Sequence, residues 1–574
     1  MKLLKETYRL LNTSQKKDTI VIVILILIGL IFEMVSIGLV FPLFDYSLHP
    51  EKIHKIQLFF RIKENISQLI FLKYSITLIL LIYFIKTFFL FYSIKKQNVF
   101  ATNIIKDLSH ELYSGYLKMP YLFHINNNSS KLVRNVNVET GAFLAYLQSL
   151  MILISESTIV VSIILLMFFV EFQGTFLLII FFSLSSYLFN IATKAKMEKL
   201  GKERQFHDGE YSKHLLQGLN GVKDIKILGK ESFFLKKFEY HNSKRTEILI
   251  KNNTIQQVPR LYLEFITVLA LSSLIFFFIY TNKSLSYFLP ILGLYAASSF
   301  RLIPSLNRIL VSLSTIKYHK SAVNEIKKEL KIIRKNTELN YNNQNETLFI
   351  SEQLELKNIS FSYNHDSKKV LNNLNLKISI GETIGIIGES GAGKSTLVDI
   401  LIGLISPTEG EYLIDHTPIN LQHQALNSIF GYVPQTIFFT DDTLEKNIAF
   451  GIDQNNINQL KLQLAISNSQ IEKFINDLPH GLQTIVGERG VKLSGGQRQR
   501  IGIARALYFD PKILIFDEST SALDNDTELA LMETINKLKG KITMILITHR
   551  TSSLTHCDKI FQIKNGNAEI IKTN

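Results

Sequence analysis

A six-helix membrane-spanning domain fused to a soluble α/β domain is the fold class the sequence predicts, and three observations carry it. Apolar stretches occupy residues 19–44, 69–94, 142–170, 174–192, 261–280 and 286–313, each near or beyond the roughly 20 residues a helix needs to cross a bilayer. No stretch of that length recurs after residue 340, where short β runs alternate with Gly turns and helices. Charge divides at the same place: residues 1–340 hold 42 Lys and Arg against 23 Asp and Glu, whereas residues 341–574 hold 21 against 26. A basic membrane half thus precedes a slightly acidic soluble half, within a chain of 574 residues and net charge +14.

The basic residues cluster in loops flanking the apolar stretches, which favours cytoplasmic loops over a nucleic-acid surface. Met1–Thr19 holds Lys2, Lys5, Arg9, Lys16 and Lys17, so the N-terminus is expected in the cytoplasm. Six crossings return the chain there, with the α/β half. The first apolar stretch lacks a small-residue cleavage site and reads as a retained helix. Within the outside loop that follows, EKIHKIQLFFRI places Ile53, Ile56, Phe59 or Phe60 and Ile62 near one helical face, an amphipathic pattern suited to a membrane surface. Two long cytoplasmic connections, about 95–141 and 193–260, are polar and helical in pattern. The second includes GLNGVKDIKILGKE (218–231). Residues 1–318 are therefore assigned to the membrane domain, 319–351 to a charged, Asn-rich linker and 352–574 to the α/β domain. Cys557 is the one cysteine, so no intrachain disulfide forms.

In the α/β half, ETIGIIGESGAGKSTLVDIL (382–401) reads as strand, glycine loop and helix start. Gly388, Ser390, Gly391, Gly393, Lys394, Ser395 and Thr396 fit the phosphate-binding loop in full. Glycines let backbone N–H groups wrap the β-phosphate of ATP, and the helix N-terminus adds its positive end. Lys394 then reaches the β- and γ-phosphates, and the Ser395 hydroxyl meets Mg²⁺. Further on, KILIFDEST (512–520) ends an apolar strand in Asp517, a metal-side carboxylate, and Glu518, placed to act as general base on the attacking water. Read alone, this acidic pair is also compatible with a helix N-cap.

Ser494, Gly495, Gly496 and Gln497 in LSGGQRQR (493–500), followed by GIARAL, match the ABC-transporter ATPase signature, and the order of motifs resembles that family. The resemblance implies that Tyr363 in SFSY stacks on adenine. It implies that Gln435 in YVPQ contacts metal and water, that Asp524 lies in the loop crossing between subunits, and that His549 in ITHR is the γ-phosphate switch. TIVGERG (484–490) resembles the segment that touches membrane-domain loops in exporters, and GLNGVKDIKILGKE the stretch around the second helix pressing on the ATPase. Since the signature of one ATPase domain closes over the phosphate loop of another, a homodimer of half-transporters is implied.

Cargo has to be read from the membrane half. Lys86, Arg260, Arg301 and Arg308 fall within or at the ends of apolar stretches, as do Glu33, Glu156 and Glu264. Intramembrane ionisable groups are costly and usually face a cavity or a partner. Arg301 and Arg308 are seven residues apart, on one helical face about 10 Å apart along it, with Pro304 between them expected to bend the helix. Alternating the chain's direction puts all four cations on the inner half, and two subunits give up to eight. Such a belt suits a phosphate or diphosphate headgroup. Equally, Arg260 is placed to snorkel or to pair with Glu264 at i+4.

VPRLYLEFI (258–266), FRLIPSLNRIL (300–310) and the outside helix at 51–62 resemble the bacterial ABC flippases for lipid-linked oligosaccharides. That resemblance implies a polyprenyl-diphosphate-linked glycan moved from the cytoplasmic to the periplasmic leaflet of the inner membrane, for protein glycosylation or surface polysaccharide. It also implies that Ile53, Ile56, Phe59 and Phe60 engage the polyprenyl tail. Exporters of lipid A-like lipids, hydrophobic drugs or peptides share the same ATPase and are the alternative; a non-transporting ABC protein is a third, disfavoured by the intact Glu518 and His549.

Overall fold

The computed structural model describes residues 12–39, 68–280, 285–341, 348–363, 368–419, 426, 428–487, 490–517, 532–533, 535–548, 550 and 554–573. Two compact units emerge, one of residues 1–119 and 127–335, the other of residues 120–126 and 336–574.

Among its described residues the first unit is all helical. Its long members are α1 (Thr13–Gly38), α2 (Gln68–Lys118), α5 (Thr140–Val170), α6 (Phe172–Asn220), α8 (Glu231–Tyr280) and α9 (Leu285–Tyr341). Short helices α4 (Ser129–Arg134) and α7 (Val222–Leu228) intervene, and α3 (Tyr121–Asn126) is counted with the second unit. Among the described residues, five of the long helices are apolar and long enough to cross a membrane. The expected sixth crossing falls in α9, which is not among those five.

Long helices here do two things in sequence. Their apolar halves build a core in which Ile163 and Met167 of α5, Leu178 of α6, Leu263 and Phe278 of α8 and Tyr295 of α9 are almost fully buried. Outward rows such as Leu80, Phe84, Phe88 and Phe91 of α2 stay exposed, as side chains facing lipid do. Beyond the apolar stretches the same helices continue as polar rods, held by ion pairs: Arg204 of α6 meets Glu139 at 2.9 Å and Asp208 at 3.0 Å, and Arg245 of α8 meets Asp208 at 2.8 Å. Gly201 of α6 permits a close crossing, because a Cβ there would sit 2.0 Å from the carbonyl oxygen of Tyr318 on α9.

Residues 319–341, expected as linker, continue α9 without a break. Ala322, Ile326, Leu330 and Ile333 are buried at helical spacing, so an apolar stripe keeps this segment packed in the first unit to Lys335. The connection between α6 and α8 folds as the short helix α7, stopped by Gly229 at φ 60°, with the Lys230 amide donating to the Ile225 carbonyl. Val222, Ile227 and Leu228 of α7 are exposed.

The second unit holds two sheets. Strands β1 (Gln353–Phe361), β2 (Leu371–Ser379), β4 (Glu409–Ile414) and β5 (Thr417–Pro418) form an antiparallel sheet in the order β2-β1-β4-β5. Strands β3 (Thr383–Gly388), β6 (Phe430–Val433), β7 (Ile513–Asp517), β8 (Thr543–Ile547), β9 (Lys559–Lys564) and β10 (Asn567–Thr573) form the second in the order β10-β9-β3-β8-β7-β6. Its four pairings from β9 to β6 are parallel, which buries both faces and explains runs such as ILIFD and TMILI. Between β6 and β7 a helical subdomain, with α11 (Leu444–Ile448), α12 (Gln459–Asn468), α13 (Glu472–Asn476) and α14 (Gly495–Tyr508), has its own core around Leu444, Leu462 and Ile501.

Candidate functional site

Strand order alone assembles the nucleotide site. Because β3, β8, β7 and β6 run parallel, their carboxyl ends share one sheet edge, where open α/β sheets bind ligands. That edge carries Gly388 at the end of β3, Asp517 at the end of β7, Thr548 after β8 and Gln435 two residues past β6. Four motifs spread along residues 388–548 are thereby brought together.

The loop after β3 turns through Gly391 at φ 84° and Gly393 at φ 104°, conformations open to glycine. Gly388 and Gly393 also lie against backbone, at 2.7 Å from the Ile563 carbonyl and 3.1 Å from the Val370 carbonyl for any added Cβ. Helix α10 (Lys394–Leu401) starts at this loop, with Ser395 exposed on its first turn. Lys394 is buried and its Nζ donates to the carbonyls of Gly388 at 2.8 Å and Glu389 at 3.1 Å, so the cation is held over its own loop. The Tyr363 and Thr396 hydroxyls lie 3.0 Å apart, which ties the expected adenine-stacking ring to α10.

Asp517 accepts a hydrogen bond from the Tyr432 hydroxyl at 3.0 Å. Burial, together with the charge of Asp517, pushes the Asp399 carboxyl up to about 6. Ser395 lies one helical turn before Asp399 on α10, and a hydroxyl with the Asp399 and Asp517 carboxylates is an all-oxygen donor set of the kind a hard divalent cation takes, so the residues fit Mg²⁺. Neither Tyr432 nor Asp399 was singled out in the sequence: Tyr432 stands in YVPQ and Asp399 follows the phosphate loop, but only the fold sets both beside Asp517.

Ser494 caps α14 through a full capping box: the Gln497 amide donates to Ser494 Oγ at 3.2 Å and the Ser494 amide to Gln497 Oε1 at 2.8 Å. The signature motif is thus a rigid helix N-terminus with Gly495 and Gly496 on its first turn. Arg505, farther along α14, donates to the Phe438 and Asn447 carbonyls, both at 2.8 Å, and fixes the signature helix to the segment after Gln435. Burial lowers its guanidinium to about 10. Glu518, Asp524 and His549 lie outside the described residues, as do Ile53, Ile56, Phe59 and Phe60 of the outside loop.

In the membrane half, the arginines of FRLIPSLNRIL face glutamates. Glu33 of α1, 2% exposed, takes Lys86 of α2 at 2.5 Å and pairs with Arg301 of α9. Glu156 of α5 takes Arg308 at 2.5 Å and the Ser305 hydroxyl at 2.7 Å, with Arg301 at 3.9 Å. Lys86 also donates to Ser36 at 2.9 Å. Three of the four expected cations therefore do come together, across α1, α2, α5 and α9. The belt of up to eight bare cations is corrected: two buried carboxylates offset two of the three positive charges, leaving a formal +1 per chain. Arg260 stands apart, 75% exposed and paired with Glu264 at 3.2 Å. Glu33 and Glu156 were visible as charges in the sequence, but their pairing spans 268 and 152 residues and no local pattern encodes it.

A cavity of about 430 Å³ opens beside this cluster, with Ser93, Gln97, Gln148, Glu156, Arg301 and Arg308 among its walls. Its remaining lining is mostly aliphatic, including Leu25, Ile26 and Ile152. The space therefore offers cations at one wall and apolar surface around them.

Comparison with known proteins fits this division. The family described as ABC transporter matches residues 371–521, and the ABC transporter transmembrane region matches residues 19–288. The ATP-dependent lipid A-core flippase of Saccharophagus degradans is 30% identical over 478 residues, 82% of this chain and 79% of the relative. An uncharacterized ABC transporter ATP-binding protein of Bacillus subtilis, YwjA, is 28% identical over 488 residues, 82% and 81% of the two chains. Among solved structures, a bacterial Atm1-family ABC exporter with ATP bound superposes with a TM-score of 0.78 at 22% identity, covering 97% of this chain and 96% of that one.

Proposed function

The chain belongs to the ABC transporter family and couples ATP hydrolysis to transport across a membrane; from that premise we propose that it flips a glycolipid with a phosphate-bearing headgroup, a polyprenyl-diphosphate-linked oligosaccharide, from the inner to the outer leaflet of the bacterial plasma membrane. The observation carrying the cargo assignment is the cavity walled by Arg301 and Arg308 amid aliphatic side chains. A guanidinium pair recognises phosphate oxygens bidentately, and the apolar walls suit the first part of a lipid tail. In a homodimer, two copies of the cluster carry a formal +2, matching the two charges of a diphosphate diester. Glu33 and Glu156 hold the arginines in place while the cavity is empty, and exchange part of that pairing for phosphate when cargo enters.

ATP drives the cycle through the residues at the sheet edge. Lys394 gives up the Gly388 and Glu389 carbonyls for the β- and γ-phosphates. Ser395, Gln435 and Asp517 would hold Mg²⁺, which supplies charge neutralisation at the γ-phosphate. Glu518 orients the attacking water, His549 senses the γ-phosphate, and Ser494, Gly495 and Gly496 of the partner copy close over the loop, with Asp524 at that junction. Tyr363 stacks on the base. The ATPase side is cytoplasmic in this reading, as the basic N-terminal segment argues.

A lipid A-like cargo is the second reading, favoured by the flippase name of several relatives at 27–30% identity. Leaflet-resolved flipping in proteoliposomes separates the two. Wild type and Glu518→Gln are compared on glycosylated polyprenyl diphosphate, a lipid A-like phosphoglycolipid and an apolar drug. The proposal expects ATP-dependent movement of the polyprenyl diphosphate, lost in the variant. Movement of the lipid A-like molecule alone transfers the assignment to the second reading, and movement of the drug alone overturns both.

A further inference from the structure

Among the described residues outside the nucleotide site and the membrane cavity, one cluster of side chains has ligand chemistry that transport does not use. His207, Glu210 and His214 lie on α6 at spacings of three and four residues, hence on one helical face. His241 of α8 faces them across the α6–α8 pair. The His207 and His241 Nδ1 atoms are 3.0 Å apart, and His214 Nε2 is 3.5 Å from Glu210 Oε2. One donor atom each from Glu210, His214 and His241 lies within 4.8 Å of the others. All four residues are partly buried.

Three imidazoles and a carboxylate converging in this way are hard to keep as a purely structural contact. Imidazoles this close repel one another once protonated, and two ring nitrogens at 3.0 Å satisfy each other only in one pair of tautomers. A shared cation removes both problems. Zinc at about 2.0–2.1 Å from each nitrogen and oxygen needs donors about 3.4 Å apart, and those of Glu210, His214 and His241 already lie within 4.8 Å of one another. The donor set of neutral imidazole plus carboxylate suits a borderline metal, whereas Mg²⁺ and Ca²⁺ prefer all-oxygen sites. Lys213 is the local competitor, with its Nζ at 3.2 Å from Glu210 Oε2.

We propose that Glu210, His214 and His241 bind one zinc ion per chain, with His207 as a fourth donor, and that the ion clips α6 to α8. The clip spans the two arms that meet at α7, so it restrains the hairpin carrying that exposed short helix. The site is independent of what the membrane cavity transports.

The test uses the purified full-length protein, freed of any affinity tag and exchanged into chelated buffer. Zinc chloride is titrated alone, and metal retained after gel filtration is counted by mass spectrometry. About one zinc per chain is expected, with affinity falling about tenfold or more in His241→Asn and His214→Gln and less in His207→Gln. Cobalt(II) should give the visible absorption of a tetrahedral site, and excess magnesium should not displace either metal. Conservative Asn and Gln variants keep the packing, and their gel-filtration profile reports folding. Zinc content near zero in the wild type, or equal binding by wild type and a monodisperse His241→Asn, overturns the proposal. So does displacement by magnesium.

Discussion

Neutralising Glu33 probes the ion cluster most directly. Its carboxylate is 2% exposed and holds Lys86, itself 11% exposed, at 2.5 Å, with Arg301 on its other oxygen. Glu33→Gln keeps the shape and removes the charge, so the cluster passes from a formal +1 to +2 with Lys86 left on the Ser36 hydroxyl. Removing one partner of a buried pair costs about 3–5 kcal/mol. The Ser36 contact and the 24% exposure of Arg301 set the expectation near the lower end, about 3 kcal/mol. For a unit of this size that corresponds to a fall of about 4 °C in unfolding temperature. Adding Lys86→Met restores the formal +1 and removes the orphaned ammonium, so Glu33→Gln/Lys86→Met should recover most of the loss. The chain has no tryptophan, so unfolding is followed by helical circular dichroism at one heating rate in lipid nanodiscs. A single variant that melts with the wild type, or a double variant no better than Glu33→Gln, refutes the pairing as the force that places Arg301.

Three further outcomes follow from other contacts. Gly201→Ala puts a Cβ 2.0 Å from the Tyr318 carbonyl, so the α6–α9 crossing must open, at a cost of about 1–3 kcal/mol or more, read as a lower unfolding temperature. Lys394→Ala removes the cation poised over the phosphate loop and should lower ATP turnover about 100-fold or more in a phosphate-release assay, with gel-filtration behaviour unchanged. Desolvation raises the Asp415 carboxyl, but hydrogen bonds from the Gln353, Ser351 and Glu352 amides outweigh it and hold it at about 2. Its stabilising effect is therefore complete above the unfolded value near 3.9 and is lost as pH falls toward 2. Asp415→Asn should then cost about 1 kcal/mol at pH 7, discounted for solvent screening, and the gap to wild type in chemical denaturation should close below about pH 4.

Much of the α/β half was legible from contiguous residues. A phosphate loop works through its own backbone, so Gly388–Ser395 encodes strand end, turn and helix start in one stretch, and the structure supplies the left-handed glycines where the spacing asked for them. Ser494 and Gln497 are likewise local, a cap and its reciprocal partner three residues on. By contrast, Asp399 and Tyr432 become part of the metal side only because β6 and β7 are neighbours and α10 follows β3. The expected linker misread residues 319–335 because charge density hid an apolar stripe at helical spacing, buried as Ala322, Ile326, Leu330 and Ile333.

By itself the sequence determined the two-part architecture, the membrane-crossing character of the first half and the chemistry of the phosphate loop, because each depends on residues adjacent in the chain. It also marked Arg301 and Arg308 as charges in need of a counterpart. Only the folded chain decided that the counterpart is internal. Helices α1, α2, α5 and α9 bring Glu33, Lys86, Glu156 and the two arginines to one place in a low-dielectric interior, where an unpaired charge is far costlier than a long-range pairing.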